Sequence, residues 1–135
     1  MSYFTDNELA CKHCGLLKLH PGFRETLNAL RGKFNEPMIT RSCCRCKEHN
    51  DRPADEGGAG GHVRSLHVGD LPAHADKGQK GTLAIDIAAV DGAYRGRLFV
   101  MMYQEGWSIG WNAKSGFLHG DRRDFIGMQQ TTFNY

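Results

Sequence analysis

The residues with the most chemistry in them are a carboxylate and an imidazole placed where apolar chain belongs. Asp86 falls between Ile85 and Ile87 in the run from Thr82 to Ala88. Strand alternation puts Leu83, Ile85 and Ile87 on one face and Ala84, Asp86 and Ala88 on the other, so the carboxylate emerges from the middle of a sheet. An ionised carboxylate there is costly unless a cation or donors compensate it. His119 repeats the oddity behind Phe117 and Leu118, with Asp121 two residues further on. Taken singly, each reads as an ordinary structural strand residue. Together with Ser65-Leu66-His67 upstream, they point to a shared metal. His67, Asp86 and His119 make a nitrogen-and-oxygen set suited to zinc, with a fourth position left for water. Three protein ligands and a water describe a catalytic site, at which zinc lowers the water's pKa to roughly 7.

The cysteines form a second candidate. Cys11-x-x-Cys14 and Cys43-x-x-Cys46 are separated by twenty-eight residues, the pattern of a structural tetrathiolate zinc site. Small thiols packed as hydrophobes account for the same residues equally well. Five cysteines and no recognisable export signal favour thiols or metal ligands over a disulfide framework.

Several elements must position these groups. Thr5-Asp6-Asn7-Glu8 has the form of a capping box and predicts a short helical turn. Phe23, Leu27, Leu30 and Phe34, behind Pro21, predict an amphipathic helix ending near Gly32 to Asn35. Pro37 to Arg41 reads as a short strand. Residues 50–61 and 69–81 read as loops rich in Gly and polar residues. The alternating run makes Thr82 to Ala88 a strand, and a second helix is expected over Gly92 to Glu105. Strands then follow over Trp107 to Trp111 and Gly116 to Arg122, the latter pointing Phe117, His119 and Asp121 one way. Trp107, Trp111 and Tyr103 are expected in the core and along a cleft wall. The order implies an α+β fold with a central antiparallel sheet and flanking helices.

At 135 residues the chain is read as a single domain, 1–135. Seventeen basic against fifteen acidic residues, with no basic block, argue against nucleic acid as a partner. Its apolar stretches are too short for membrane insertion. The N-terminal stretch has no basic segment followed by an apolar run, so synthesis in the cytoplasm without a signal peptide is expected. The protein is expected to be a monomer.

Five segments in order resemble the zinc D-Ala-D-Ala carboxypeptidase family, particularly its phage-type peptidoglycan peptidases, which share the hedgehog fold. They are Tyr3-Phe4-Thr5 with Glu8-Leu9, Ile39-Thr40 with Ser42, Arg45 and His49-Asn50, then Ser65-x-His67, Ala84-x-Asp86 and Phe117 to Asp121. The resemblance covers nearly the whole chain and implies that His67, Asp86 and His119 hold catalytic zinc. It implies that Arg45 grips a substrate carboxylate or the developing oxyanion, a task its planar fork suits, and it places Ser65 near the substrate. The implied activity is hydrolysis of an amide in a peptidoglycan stem peptide or cross-bridge, as in a phage endolysin acting on the cell wall. Three features depart from the family. His67 and Asp86 are nineteen residues apart, which reads as a loop inserted over Val68 to Lys80 and leaves His62 and His74 as rival ligands. Cys43-Cys44 replaces the turn before Arg45. Finally, Gly116 or Phe117 stands where relatives carry a Glu or His base. Asp121 is the nearest carboxylate, either as base, which is slightly favoured, or as a group orienting a ligand.

Two rival readings stay open. One is a non-catalytic binding module stabilised by zinc on Cys11, Cys14, Cys43 and Cys46. The other, borrowed from hedgehog, keeps the zinc site in a protein that works by binding.

Overall fold

The computed structural model describes residues 2–112 and 114–134. The N-terminal capping box forms as expected. The Thr5 hydroxyl accepts from the Glu8 N–H at 3.1 Å, and the Glu8 carboxylate accepts from the Thr5 N–H at 3.2 Å, starting α1 (Asp6–Leu9). Helix α2 (Phe23–Phe34) buries Phe23, Leu27, Leu30 and Phe34 along one stripe. It stops where Asn35 turns left-handed at φ 56°.

The chain continues through β1 (Thr40–Ser42), α3 (Lys47–Asp51), β2 (Ala84–Ala88), α4 (Gly92–Gln104), β3 (Ser108–Trp111), β4 (Phe117–Asp121) and β5 (Thr132–Asn134). The strands form one sheet in the order β1-β2-β4-β3-β5. Its first four strands are antiparallel, as expected, but β5 runs parallel to β3. The parallel edge strand adds to the central antiparallel sheet, and its cause is topological. The chain reverses from β3 into β4, reverses again at the single turn Arg123–Ile126, and re-enters on the far side of β3 in β3's own direction. Helix α3 was also unexpected, at the threshold of a stretch read as loop.

Leu83, Ile85 and Ile87 are fully buried in one core with α2, Leu98 and Met102 of α4, Trp107 and Leu118. Tyr103 is half exposed, and Trp111, partly exposed, lines a surface cavity with Arg95, Phe99 and Leu118. The other face of the sheet carries polar residues. Cross-strand partners share a face, so the register Ser42–Asp86–His119–Gly110–Phe133 is a single row across all five strands.

The segment leading to this row is pinned at both ends. Thr82 donates its N–H to the Lys18 carbonyl at 2.7 Å and accepts at its own carbonyl from His20 at 3.0 Å. The Thr82 hydroxyl donates to the His67 carbonyl at 2.8 Å, tying His67 to the entrance of β2. The stretch 68–80 is closed at its root by Gln79, whose buried amide donates to the carbonyls of Leu66, Val68 and Gly81. Gly81 must lie flat against this seam, because a Cβ there would stand 2.6 Å from the His20 nitrogen and the Leu19 carbonyl carbon. Those are backbone atoms, so no rotamer change relieves the clash. Gly81→Ala should therefore cost about 1–3 kcal/mol of stability. A denaturation midpoint equal to wild type would show that the seam tolerates a side chain.

Candidate metal centre

His67, Asp86 and His119 come from three separate stretches, and one ligand atom from each lies within 4.8 Å of the other two. Asp86 and His119 face each other in register on β2 and β4. His67 arrives from the seam, its carbonyl accepting from the Arg45 N–H at 3.0 Å.

The hydrogen bonds behind the rings fix which atoms face inward. Nδ1 of His67 lies 2.7 Å from the Cys43 carbonyl oxygen. That oxygen can only accept, so Nδ1 carries a proton. A neutral His67 then turns a bare Nε2 lone pair towards Asp86 Oδ1 at 3.2 Å. Burial pushes the His67 imidazole down, which favours this neutral form. His119 is the mirror case. Its Nε2 faces Asp121 Oδ2 at 2.8 Å, and its Nδ1 faces the same Asp86 Oδ1 at 3.1 Å.

Acceptors thus converge on one point, where only a proton or a metal cation relieves their repulsion. In the metal-free protein a proton serves at His119. Burial alone would lower this group, but the Asp121 and Asp86 carboxylates outweigh it and raise it to about 9. Burial likewise pushes Asp86 up, yet the protonated His119 beside it holds it well below the usual carboxylate range. Ligand atoms about 2.0–2.1 Å from a tetrahedral zinc stand roughly 3.3 Å from one another. The contacts of 3.1 and 3.2 Å match that spacing, and the donor set suits zinc.

Arg45 completes the ring of charge. It donates Nε to Ser42 at 3.0 Å, one terminal nitrogen to Asn50 at 3.3 Å, and the other to Asp86 Oδ2 at 3.0 Å. Asp86 therefore gives one oxygen to the arginine and the other to the two rings. Gly61 makes room for this brace, since a Cβ there would stand 2.2 Å from Asn50 Oδ1.

Ser65 accepts from the His67 N–H at 3.2 Å and so shapes the turn that presents this histidine. The rival histidines are placed elsewhere. His62 is exposed, with its Nδ1 accepting from the Arg64 N–H, and His74 is buried within the stretch 68–80.

Asp121 is completely buried, and both its oxygens are engaged. Oδ1 accepts from the Arg123 N–H and Nε, while Oδ2 accepts from the other Arg123 branch and from His119. Burial pushes this carboxyl up, but Arg123 and His119 outweigh that and bring it down to about 2. Sequence reasoning missed Arg123, although it continues the alternation His119, Asp121, Arg123. It also missed Phe133, whose ring lies 5.5 Å from the His119 ring, across side-chain-free Gly110. Thr131 to Phe133, β-branched and aromatic, was the available signal for β5. The side chains of His67 and Asp86 are 3% and 6% exposed against 14% for His119, so access is from the His119 side.

Of the two readings of the cysteines, the four-sulfur site does not assemble. Cys11, Cys14 and Cys46 come together, whereas Cys43 packs in the hydrophobic core and only its carbonyl serves His67. The chain leaves β1 at Ser42, and this exit turns Cys43 inward.

No protein-family model, curated protein or solved structure matches the chain. Among the described residues, no helix is long and apolar enough to cross a membrane.

If the three residues are ligands, His119→Ala should cost the chain one equivalent of zinc when purified without chelator and assayed by elemental analysis. Unchanged metal content would reduce the group to an ion-pair network.

Proposed function

We propose that this chain is a zinc metallopeptidase that hydrolyses an amide bond in peptidoglycan peptide, built on a hedgehog/D-Ala-D-Ala-peptidase-like version of its α+β fold. The observation that carries the metal assignment is the convergence of His67 Nε2 and His119 Nδ1 on one oxygen of Asp86, each ring held from behind by an acceptor. Support for the substrate class comes from the five ordered segments that resemble the D-Ala-D-Ala carboxypeptidase family. Their functional positions, Arg45, His67, Asp86 and His119, lie around a single point.

His67, Asp86 and His119 would hold the zinc, which when bound supplies a Lewis acid and a water of pKa roughly 7. The remaining work falls to the chain's own groups. Arg45 is braced by Ser42 and Asn50, so its guanidinium is oriented before substrate arrives. It pairs with Asp86 and presents positive charge beside the ligands, where a substrate carboxylate or developing oxyanion can be gripped. Ser65 positions His67 through the backbone. Asp121 is assigned to orienting His119 rather than to taking a proton, because Arg123 and His119 already occupy its oxygens. Phe133 supplies an apolar wall beside His119, the most open of the ligands.

Release of stem-peptide fragments from purified peptidoglycan, followed by mass spectrometry, tests the activity. Wild type with zinc should cleave, and Arg45→Lys should lose turnover by roughly 10²-fold or more while retaining zinc. Wild-type turnover in that variant would leave Arg45 a purely structural brace. Asp121→Asn separates the two roles of that carboxylate. The orienting role predicts zinc affinity lowered by about 10–100-fold, with activity recovering in excess zinc. Lost turnover at full zinc occupancy would make Asp121 the base instead.

A further inference from the structure

A second cluster begins one residue beyond Arg45. Cys11, Cys14 and Cys46 bring three sulfurs within 4.8 Å of one another, and none is in a disulfide. A disulfide could join only two of them. Sulfurs bound about 2.3 Å from one tetrahedral zinc stand roughly 3.8 Å apart, which this cluster accommodates.

The backbone is arranged for thiolates. Cys11 Sγ accepts from the Cys46 N–H at 3.4 Å, and the N–H groups of Cys14 and His13 also bear on it. Cys46 Sγ accepts from the His49 N–H at 3.4 Å. A neutral thiol is a weak acceptor, whereas the thiolate is the form that binds metal. Each half of the cluster is thus a tight turn folding its own N–H groups onto a sulfur.

Cys43 turns away from these sulfurs, and the rings of His13 and His49 flank them. His49 follows Cys46 by the same interval at which Cys14 follows Cys11, giving Cys-x-x-Cys and Cys-x-x-His halves. Its Nδ1 is buried and has no hydrogen-bond partner. The His13 ring stacks on it at 5.7 Å, and His13 Nδ1 sits 3.5 Å from Cys46 Sγ.

We propose that Cys11, Cys14, Cys46 and His49 bind a structural zinc ion. The metal clips the N-terminal turn onto the start of α3. That helix carries Asn50, which holds the Arg45 guanidinium in place, so the clip supports the neighbouring centre from outside it.

Cobalt(II) tests this on the full chain independently of the other site. Thiolate ligands give a sulfur-to-cobalt charge-transfer band, which His67, Asp86 and His119 cannot produce. Reduced, metal-free protein titrated with cobalt should develop that band at one equivalent, and zinc should abolish it. Cys14 is exposed, so Cys14→Ser leaves the core intact and should lower the band by one thiolate's share. His49→Ala should weaken cobalt binding roughly tenfold or more and shift the visible bands, while His67→Ala should leave the charge-transfer band unchanged. Absence of the band in wild type overturns the proposal, as does unaltered binding in His49→Ala.

Discussion

The polar half of this structure is organised around one carboxylate that the sheet cannot leave uncompensated. Asp86 sits mid-strand, 4% exposed, with fully buried Ile85 and Ile87 on either side of it in sequence. Ionised in such a place, it requires partners from several directions. It receives Arg45 on one oxygen and two imidazoles on the other. Each partner demands support in turn. Arg45 needs Ser42 and Asn50, His67 needs the Cys43 carbonyl, and His119 needs Asp121, which needs Arg123. These chains of support are what a metal ligand set requires, since ligand rings must be oriented from behind.

The fold supplies this at little cost because the sheet divides its labour by face. One face of the sheet closes the hydrophobic core under α2 and α4, while the other carries the row from Ser42 to Phe133. A slip of one residue in the β2–β4 pairing would turn Asp86 into the core and an isoleucine onto the polar face. Core packing and site geometry therefore fix the same register.

Much of this was legible in the sequence, for physical reasons. The helical stripe from Phe23 to Phe34 and the alternation around Asp86 are strong local patterns, and both formed as expected. Asp86 and His119 stood out because each breaks an apolar strand. His67 lies in no regular element and has no such pattern, so only its Ser65-x-His67 context set it apart from His62 and His74. Helix α3 and strand β5 are short, and tertiary pairing rather than local propensity decides them. Spacing alone misassigned Cys43, since it cannot tell a thiol turned to the core from one turned to a ligand.

The central claim is that the point between His67, Asp86 and His119 is a zinc site. Anomalous diffraction at the zinc edge, from crystals grown with zinc, tests it most directly. The expected result is a peak about 2.0–2.1 Å from His67 Nε2, an Asp86 oxygen and His119 Nδ1. No peak there, with both rings still hydrogen-bonded directly to Asp86, would contradict it.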